Sequence, residues 1–251
     1  MAKQKGIIKL RGTVGDITFY KTKDGHLARE KGGVDGNRIA NDPAFKRTRE
    51  NGAEFGRAGK SGKVLRAAFR GILLNSADAR MTSRLTQLMM KVIQADATSV
   101  RGERNVIDGE AELLQGFEFN NRAALAGVLF APFVTTIDRV MGELRVDIAS
   151  FIPSNMVMAP GGNTHYKIIS AGAEIDFTNE MFVVATSESA HLPWSMVASV
   201  ALNQINTIGA NSAHPLFLVL GIEFYQEVNG VMYPLNNGAF NGFSIVKVNG
   251  F

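Results

Sequence analysis

Past residue 117 the chain is dominated by short runs in which apolar residues either alternate with polar ones or fill the run, each bounded by Gly, Asn or Pro. The segments 133–140, 144–151, 165–171, 181–186, 196–202, 216–228, 231–235 and 243–248 read as strands on this pattern. Asn229-Gly230 between the runs Glu223-Phe-Tyr-Gln-Glu-Val and Val-Met-Tyr-Pro is the strongest turn signal, because both central residues of a type I′ hairpin need positive φ. So many short strands with close turns indicate an antiparallel β-sandwich over 117–251.

The first 116 residues read differently. Gly6-Ile-Ile-Lys-Leu-Arg11 and Gly15-Asp-Ile-Thr-Phe-Tyr20 predict a hairpin, with Asp24-Gly25 reversing the chain into a third strand through Leu27. From 32 to 41 the glycines at 32, 33 and 36 predict an extended arm, and Asn41-Asp42-Pro43 starts a helix. Residues 43–74 have partly helical spacing, but Gly52, Gly56, Gly59 and Gly62 each cost about 1 kcal/mol in a helix interior, so a break near 56–62 is expected. A cleaner helix spans 81–96, with Leu85, Leu88, Met89, Val92 and Ile93 on one face, and a helical turn covers 109–115. The fold class is therefore α+β, mainly β, with a basic hairpin, arm and helical module at 1–116 and a sandwich at 117–251.

Charge sharpens this division. Up to Arg104 the chain holds 22 of its 27 Lys and Arg but 10 of its 23 Asp and Glu, a net of +12, and the remainder holds 5 against 13, a net of −8. A formal charge of +4 thus conceals a dipolar chain whose basic part suits a polyanion or the acidic part of another copy. With 251 residues, 45% of them hydrophobic, there is enough material for a large core, and zero cysteine excludes disulfides, thiolate nucleophiles and Cys-based zinc sites. The apolar runs near 194–202 and 215–222 are too short to span a bilayer, and the start has no secretory apolar stretch, so cytoplasmic synthesis is expected.

No catalytic constellation stands out, and neither an enzyme activity nor a cofactor is expected. Gly56-Arg-Ala-Gly59-Lys60-Ser61 has the parts of a phosphate loop, but Glu54 occupies the first glycine position and no strand leads in. His26, His165, His191 and His214 lack metal-ligand spacing, and Ser195 near His191 lacks a nucleophile elbow. Glu174 and Asp176 share one strand face as ordinary charges, and Trp194 follows Pro193 as a core or interface residue. More substantial is the basic set Lys46, Arg47, Arg49, Arg57, Lys60, Lys63, Arg66 and Arg70, which would form an intersubunit or nucleic-acid-binding face. Gly32, Gly33, Val34, Gly36 and Arg38 form the candidate assembly arm.

The block Lys5-Gly-Ile-Ile-Lys-Leu-Arg-Gly-Thr-Val-Gly-Asp-Ile-Thr-Phe-Tyr20, followed by Asp24-Gly25, Ala28-Arg-Glu-Lys-Gly-Gly33, Arg38-Ile39, Asp42-Pro-Ala-Phe45, Thr48-Arg-Glu-Asn51 and Glu54-Phe-Gly56, resembles an uncharacterised protein family of Bacteroidota over residues 5–70. That resemblance implies no chemistry and no catalytic residues. It places the distinctive residues in the basic arm, as a docking element requires. The expectation from all these features is a structural subunit of a homopolymer, a filament, tube or shell, with nucleic-acid binding through residues 46–70 as the alternative.

Overall fold

A computed structural model describes every residue except Met1, Lys31, Asn75, Ala77 and Phe251, and of Asn236 and Asn237 the backbone alone. The chain divides into two compact units, residues 1–49 and 50–251, whereas the sequence pattern placed the boundary after 116. The first unit contains β1 (Ala2–Lys3), β2 (Gly12–Val14), β3 (Ile17–Thr22), β4 (Gly25–Glu30) and the short helix α1 (Gly36–Asn41). Its strands form one antiparallel sheet in the order β1-β4-β3-β2. Val14 faces Ile17 across a tight turn at Gly15, whose φ of +54° suits glycine. The hairpin therefore turns where Gly-Asp stands, and residues 6–11, expected as its first strand, form a loop instead. Likewise the expected extended arm becomes helical at Gly36, where the Asp35 carboxylate accepts from the Asn37 amide at 2.7 Å as an N-cap. Asp42 caps the following 3₁₀ turn Pro43–Phe45 in the same way, accepting from the Ala44 amide at 2.9 Å.

The second unit takes in the helices and the whole β-rich part. Helix α2 (Lys46–Ala68), which starts within the first unit, is followed by α3 (Arg70–Leu73), α4 (Met81–Gln94), a 3₁₀ turn Ala111–Leu114 and α5 (Leu125–Val128). Next come β5 (Phe133–Asp138), β6 (Glu143–Ile148), α6 (Pro153–Met156), β7 (His165–Asp176), β8 (Met181–Glu188), β9 (Leu192–Pro193) and β10 (Leu202–Thr207). The chain ends with β11 (Leu216–Val228), β12 (Val231–Pro234), a 3₁₀ turn Leu235–Gly238 and β13 (Gly242–Asn249). Six strands form one antiparallel sheet along β12-β11-β7-β8, with β13 paired to β11 and β9 to β7, and β10-β6-β5 form a second sheet. The Asn229-Gly230 turn is as expected, with φ of +52° and +79° between paired Val228 and Val231.

Register decides which side chains meet. Tyr166, Ile168, Leu218, Leu220, Ile222 and Phe224 point to one side of the large sheet and pack with Leu144, Val146 and Ile148 of the small one, which is the expected sandwich. On the opposite side Ile169, Ala171, Ala173, Phe217 and Val219 pack with Leu65, Phe69, Leu85, Met89, Val92 and Ile93 of the helices. The molecule's second unit is thus three layers deep, with the six-stranded sheet in the middle and the central strands β7 and β11 buried on both faces over most of their length.

Two further expectations are corrected. Helix α2 runs unbroken through its four glycines. Gly62 lies against α4, where an added Cβ would sit 3.6 Å from Leu85 Cγ, while Gly52 and Gly56 are exposed with open space around them. Burial of Ala58, Val64, Leu65 and Ala68 outweighs the propensity cost, as tertiary packing commonly does. The strand expected at 196–202 begins only at Leu202, and residues 194–200 form a loop tied to 151–154 by Ser199 N donating to Phe151 O at 2.8 Å and Ser154 N to Ser195 O at 3.1 Å. Its inward residues are amides: Gln204 donates to Ile168 O at 2.9 Å and Asn206 to Ser170 Oγ at 2.8 Å, inside the sandwich.

The loop after α4 is built on Asp96. Burial pushes its carboxyl upward, but hydrogen bonds from the backbone and side chain of Ser99 and from the Asn105 and Thr98 amides outweigh burial and hold it well below the ordinary range. A carboxylate depressed in the folded state contributes stability above its unfolded pKa, about 3.9, that is lost as pH falls toward the folded value. Thermal midpoints should therefore decline below about pH 4, and Asp96→Asn should flatten that decline while lowering the midpoint at neutral pH. An unchanged acid profile in the variant would assign the acid sensitivity elsewhere.

Candidate interaction surface

A sheet is stable when at least one face is covered, and within the first unit itself no described side chain gives that cover. None of its described residues is buried. The pairings Phe19↔Ala28, Ile17↔Glu30, Gly12↔Phe19, Val14↔Ile17 and Ala2↔Ala28 put Val14, Ile17, Phe19 and Ala28 on the same face. Val14 and Ile17 keep 67% and 46% of their surface exposed.

Between β1 and β2 the chain forms a loop closed at its neck by Gln4. Its side-chain oxygen accepts from the Leu10 amide at 2.9 Å and its side-chain nitrogen donates to Leu27 O at 3.0 Å, while the Lys9 ammonium donates to Gln4 O at 2.5 Å. The loop carries Ile7 and Ile8 with 103% and 81% of their surface open, flanked by Lys5 and Lys9. The two adjacent isoleucines thus form a small exposed apolar patch.

The arm residues are dispersed. Gly32, Gly33 and Val34 lie outside regular structure, Gly33 with φ of +138°, and Gly36 opens α1. Arg38 pairs with Asp42 at 3.1 Å and lies over the Phe45 ring at 5.7 Å.

The basic set splits by task. Arg49 donates to Ile39 O and Asp42 O at 2.7 and 3.0 Å, neutralising carbonyls around the end of α1. Arg57 donates to Arg104 O at 2.6 Å and to Gly102 O, beside the buried Glu54, whose carboxylate accepts from the Gly102 amide at 2.8 Å. These contacts lash the loop at 102–104 to α2. Lys60 pairs with Glu180 at 2.8 Å. Lys63, Arg66 and Arg70 line a groove of about 320 Å³ with Leu73, Leu74 and Met81, and Lys46 and Arg47 are exposed at the start of α2. Gly56 to Ser61 lie within α2 with Ser61 buried, a geometry unlike a phosphate loop.

A second apolar area lies on the larger unit. Met158, Met196, Val197 and Val200 are exposed, and Trp194 donates its indole N–H to Val157 O at 3.2 Å while keeping part of its ring open. Trp194 is thus a surface residue held in place.

One polar cluster escaped sequence reading. Tyr225 faces His165 across β11 and β7, and Glu223 faces Lys167. The Tyr225 hydroxyl donates to Glu223 at 2.6 Å, the His191 ring meets the Tyr225 ring edge-on at 4.5 Å, and Lys167 pairs with Glu188 at 2.5 Å. Burial, then Glu223, pushes the Tyr225 phenol far up, and burial with Lys167 and His165 nearby lowers His191. The phenol stays protonated and the Lys167 ammonium is taken by Glu188, so the cluster pins the end of the sheet. Its signal was alternation of polar residues at the ends of two apolar strands. Among the described residues no three His, Asp or Glu converge as a metal site, and no helix is long and apolar enough to cross a membrane.

No family model, curated protein or solved structure matches this chain.

Proposed function

We propose that the protein is a non-enzymatic structural subunit that assembles with copies of itself into a homopolymer. The observation that carries this reading is the four-stranded sheet of the first unit, which has an apolar patch of Val14, Ile17, Phe19 and Ala28, bordered by Lys21, His26 and Glu30, and no buried side chain. Such a sheet gains its missing layer on association. The exposed isoleucine loop and the apolar strip around Trp194 supply further area, and the +12/−8 charge division supplies orientation during encounter. Apolar burial contributes most of the association energy, and charge pairing sets the register.

The alternative, nucleic-acid binding, is favoured by the open groove of Lys63, Arg66 and Arg70. The two readings respond differently to salt. Release of counterions from duplex DNA gives a log–log slope of about −0.9 per neutralised phosphate, whereas apolar association changes little once charges are screened. Purified particles are expected to show a protein-like 260/280 nm absorbance ratio, to resist nuclease, and to persist when salt is raised several-fold. Stoichiometric nucleic acid in the particles, or a steep salt slope, would favour the alternative.

A further inference from the structure

On the larger unit, β7 and β8 run past the part of the sheet that the small sheet covers. Leu144 and Asn206 pack against Gly172, where an added Cβ would meet Asn206 Cβ at 3.0 Å and Leu144 Cβ at 3.1 Å, and beyond it the strand pair continues uncovered. Glu174 pairs with Val183 and Asp176 with Met181, so these four side chains share that uncovered face. With Phe182 and His214 they line a cavity of about 170 Å³. This is below the about 300–1,000 Å³ of small-molecule pockets and suits one or two aliphatic side chains. Met181 and Val183 leave 66% and 54% of their surfaces open.

The charges around the cavity are acidic. Asp176 accepts from the Thr178 and Asn179 amides at 2.9 and 3.0 Å and from the Asn179 side chain at 2.7 Å, and His214 stands 3.8 Å away. Glu174 faces the same space, and neighbouring Glu180 is taken by Lys60. The cavity is therefore lined by the apolar Met181, Phe182 and Val183 together with the carboxylates of Glu174 and Asp176 and the His214 ring. The loop at Ile7 and Ile8 has the opposite arrangement, two exposed aliphatic side chains bracketed by Lys5 and Lys9.

We propose that the cavity bounded by Glu174, Asp176, Met181, Val183 and His214 receives the Ile7-Ile8 loop of a second copy of this chain. The inference rests on the assembly reading above and gives it a specific contact. Aliphatic side chains fill the cavity while Lys5 and Lys9 meet its carboxylates, so shape and sign agree on the same pair of surfaces. The contact is heterologous: each copy offers a loop to one neighbour and a cavity to another, and repetition makes an open polymer or a ring.

Two variants test it. Ile7→Ser with Ile8→Ser removes the aliphatic loop, and Val183→Arg places a cation in the cavity; all three positions are exposed, so both chains should keep wild-type thermal melts. Glu174→Lys serves as a second cavity variant should Val183→Arg melt early. In sedimentation each variant alone is expected at the 27.1 kDa monomer. An equimolar mixture is expected to form a one-to-one dimer and stop there, because each pair has one intact loop and one intact cavity. Variants that assemble like wild type would overturn this contact and leave the assembly reading standing. A folded mixture that stays monomeric would also overturn the contact, and a monomeric wild-type chain would overturn both.

Discussion

Deletion of residues 1–42 is expected to abolish assembly while leaving a folded, cooperatively melting protein. The described buried residues begin at Glu54, and both apolar cores are built from residue 58 onward, so the deletion removes no buried side chain. It does remove the exposed Val14 and Ile17 with the half-buried Phe19, the isoleucine loop and the acceptors Ile39 O and Asp42 O of Arg49. Loss of surface contacts of this kind changes stability little, whereas loss of the association surface eliminates large species altogether. Circular dichroism melts and light scattering on the same preparation check both halves. Particles of wild-type size from the truncated chain would make the first unit dispensable for assembly.

A large effect on folding is expected at Gly221. It faces Phe243 across β11 and β13, and an added Cβ would overlap the Phe243 ring. The ring cannot retreat, because Phe243 is fully buried among the helices and strands of the first core. Gly221→Ala should therefore cost at least the upper end of the about 1–3 kcal/mol typical of overpacking. Phe243→Ala relieves the overlap but costs about 3–5 kcal/mol for the lost aromatic, so the double variant should be less destabilised than the sum of the two singles. Denaturant melts of the four chains measure this coupling. Strict additivity would mean that the glycine does not serve the ring.

Much of the larger unit could be read from the chain, and the exceptions share a cause. Strands at 133–138, 165–176, 216–228 and 242–249 were visible because their inward positions are mostly apolar, and helix 81–94 because Leu85, Met89, Val92 and Ile93 recur at helical spacing. Strand 202–207 was hidden because its inward positions are Gln204 and Asn206, whose burial is made tolerable by acceptors on the opposite sheet. Continuity of α2 depended on α4 closing over Gly62 from a distant part of the sequence, which local propensity does not contain. At the candidate surface, the basic residues were legible as a set but not in their division of labour. Arg49, Arg57 and Lys60 are committed within the chain, while Lys63, Arg66 and Arg70 line an open groove. The cavity on the far end of β7 and β8 was half-visible, since Glu174 and Asp176 were placed on one face, but their apolar companions come from across the strand pair.

The central claim is that this chain completes its exposed surfaces by association with itself. Sedimentation velocity of the intact protein at physiological salt and high micromolar concentration tests that claim most directly. The account predicts species many times heavier than one chain, with little material at 27.1 kDa. A single sharp boundary at the monomer mass under these conditions would contradict it.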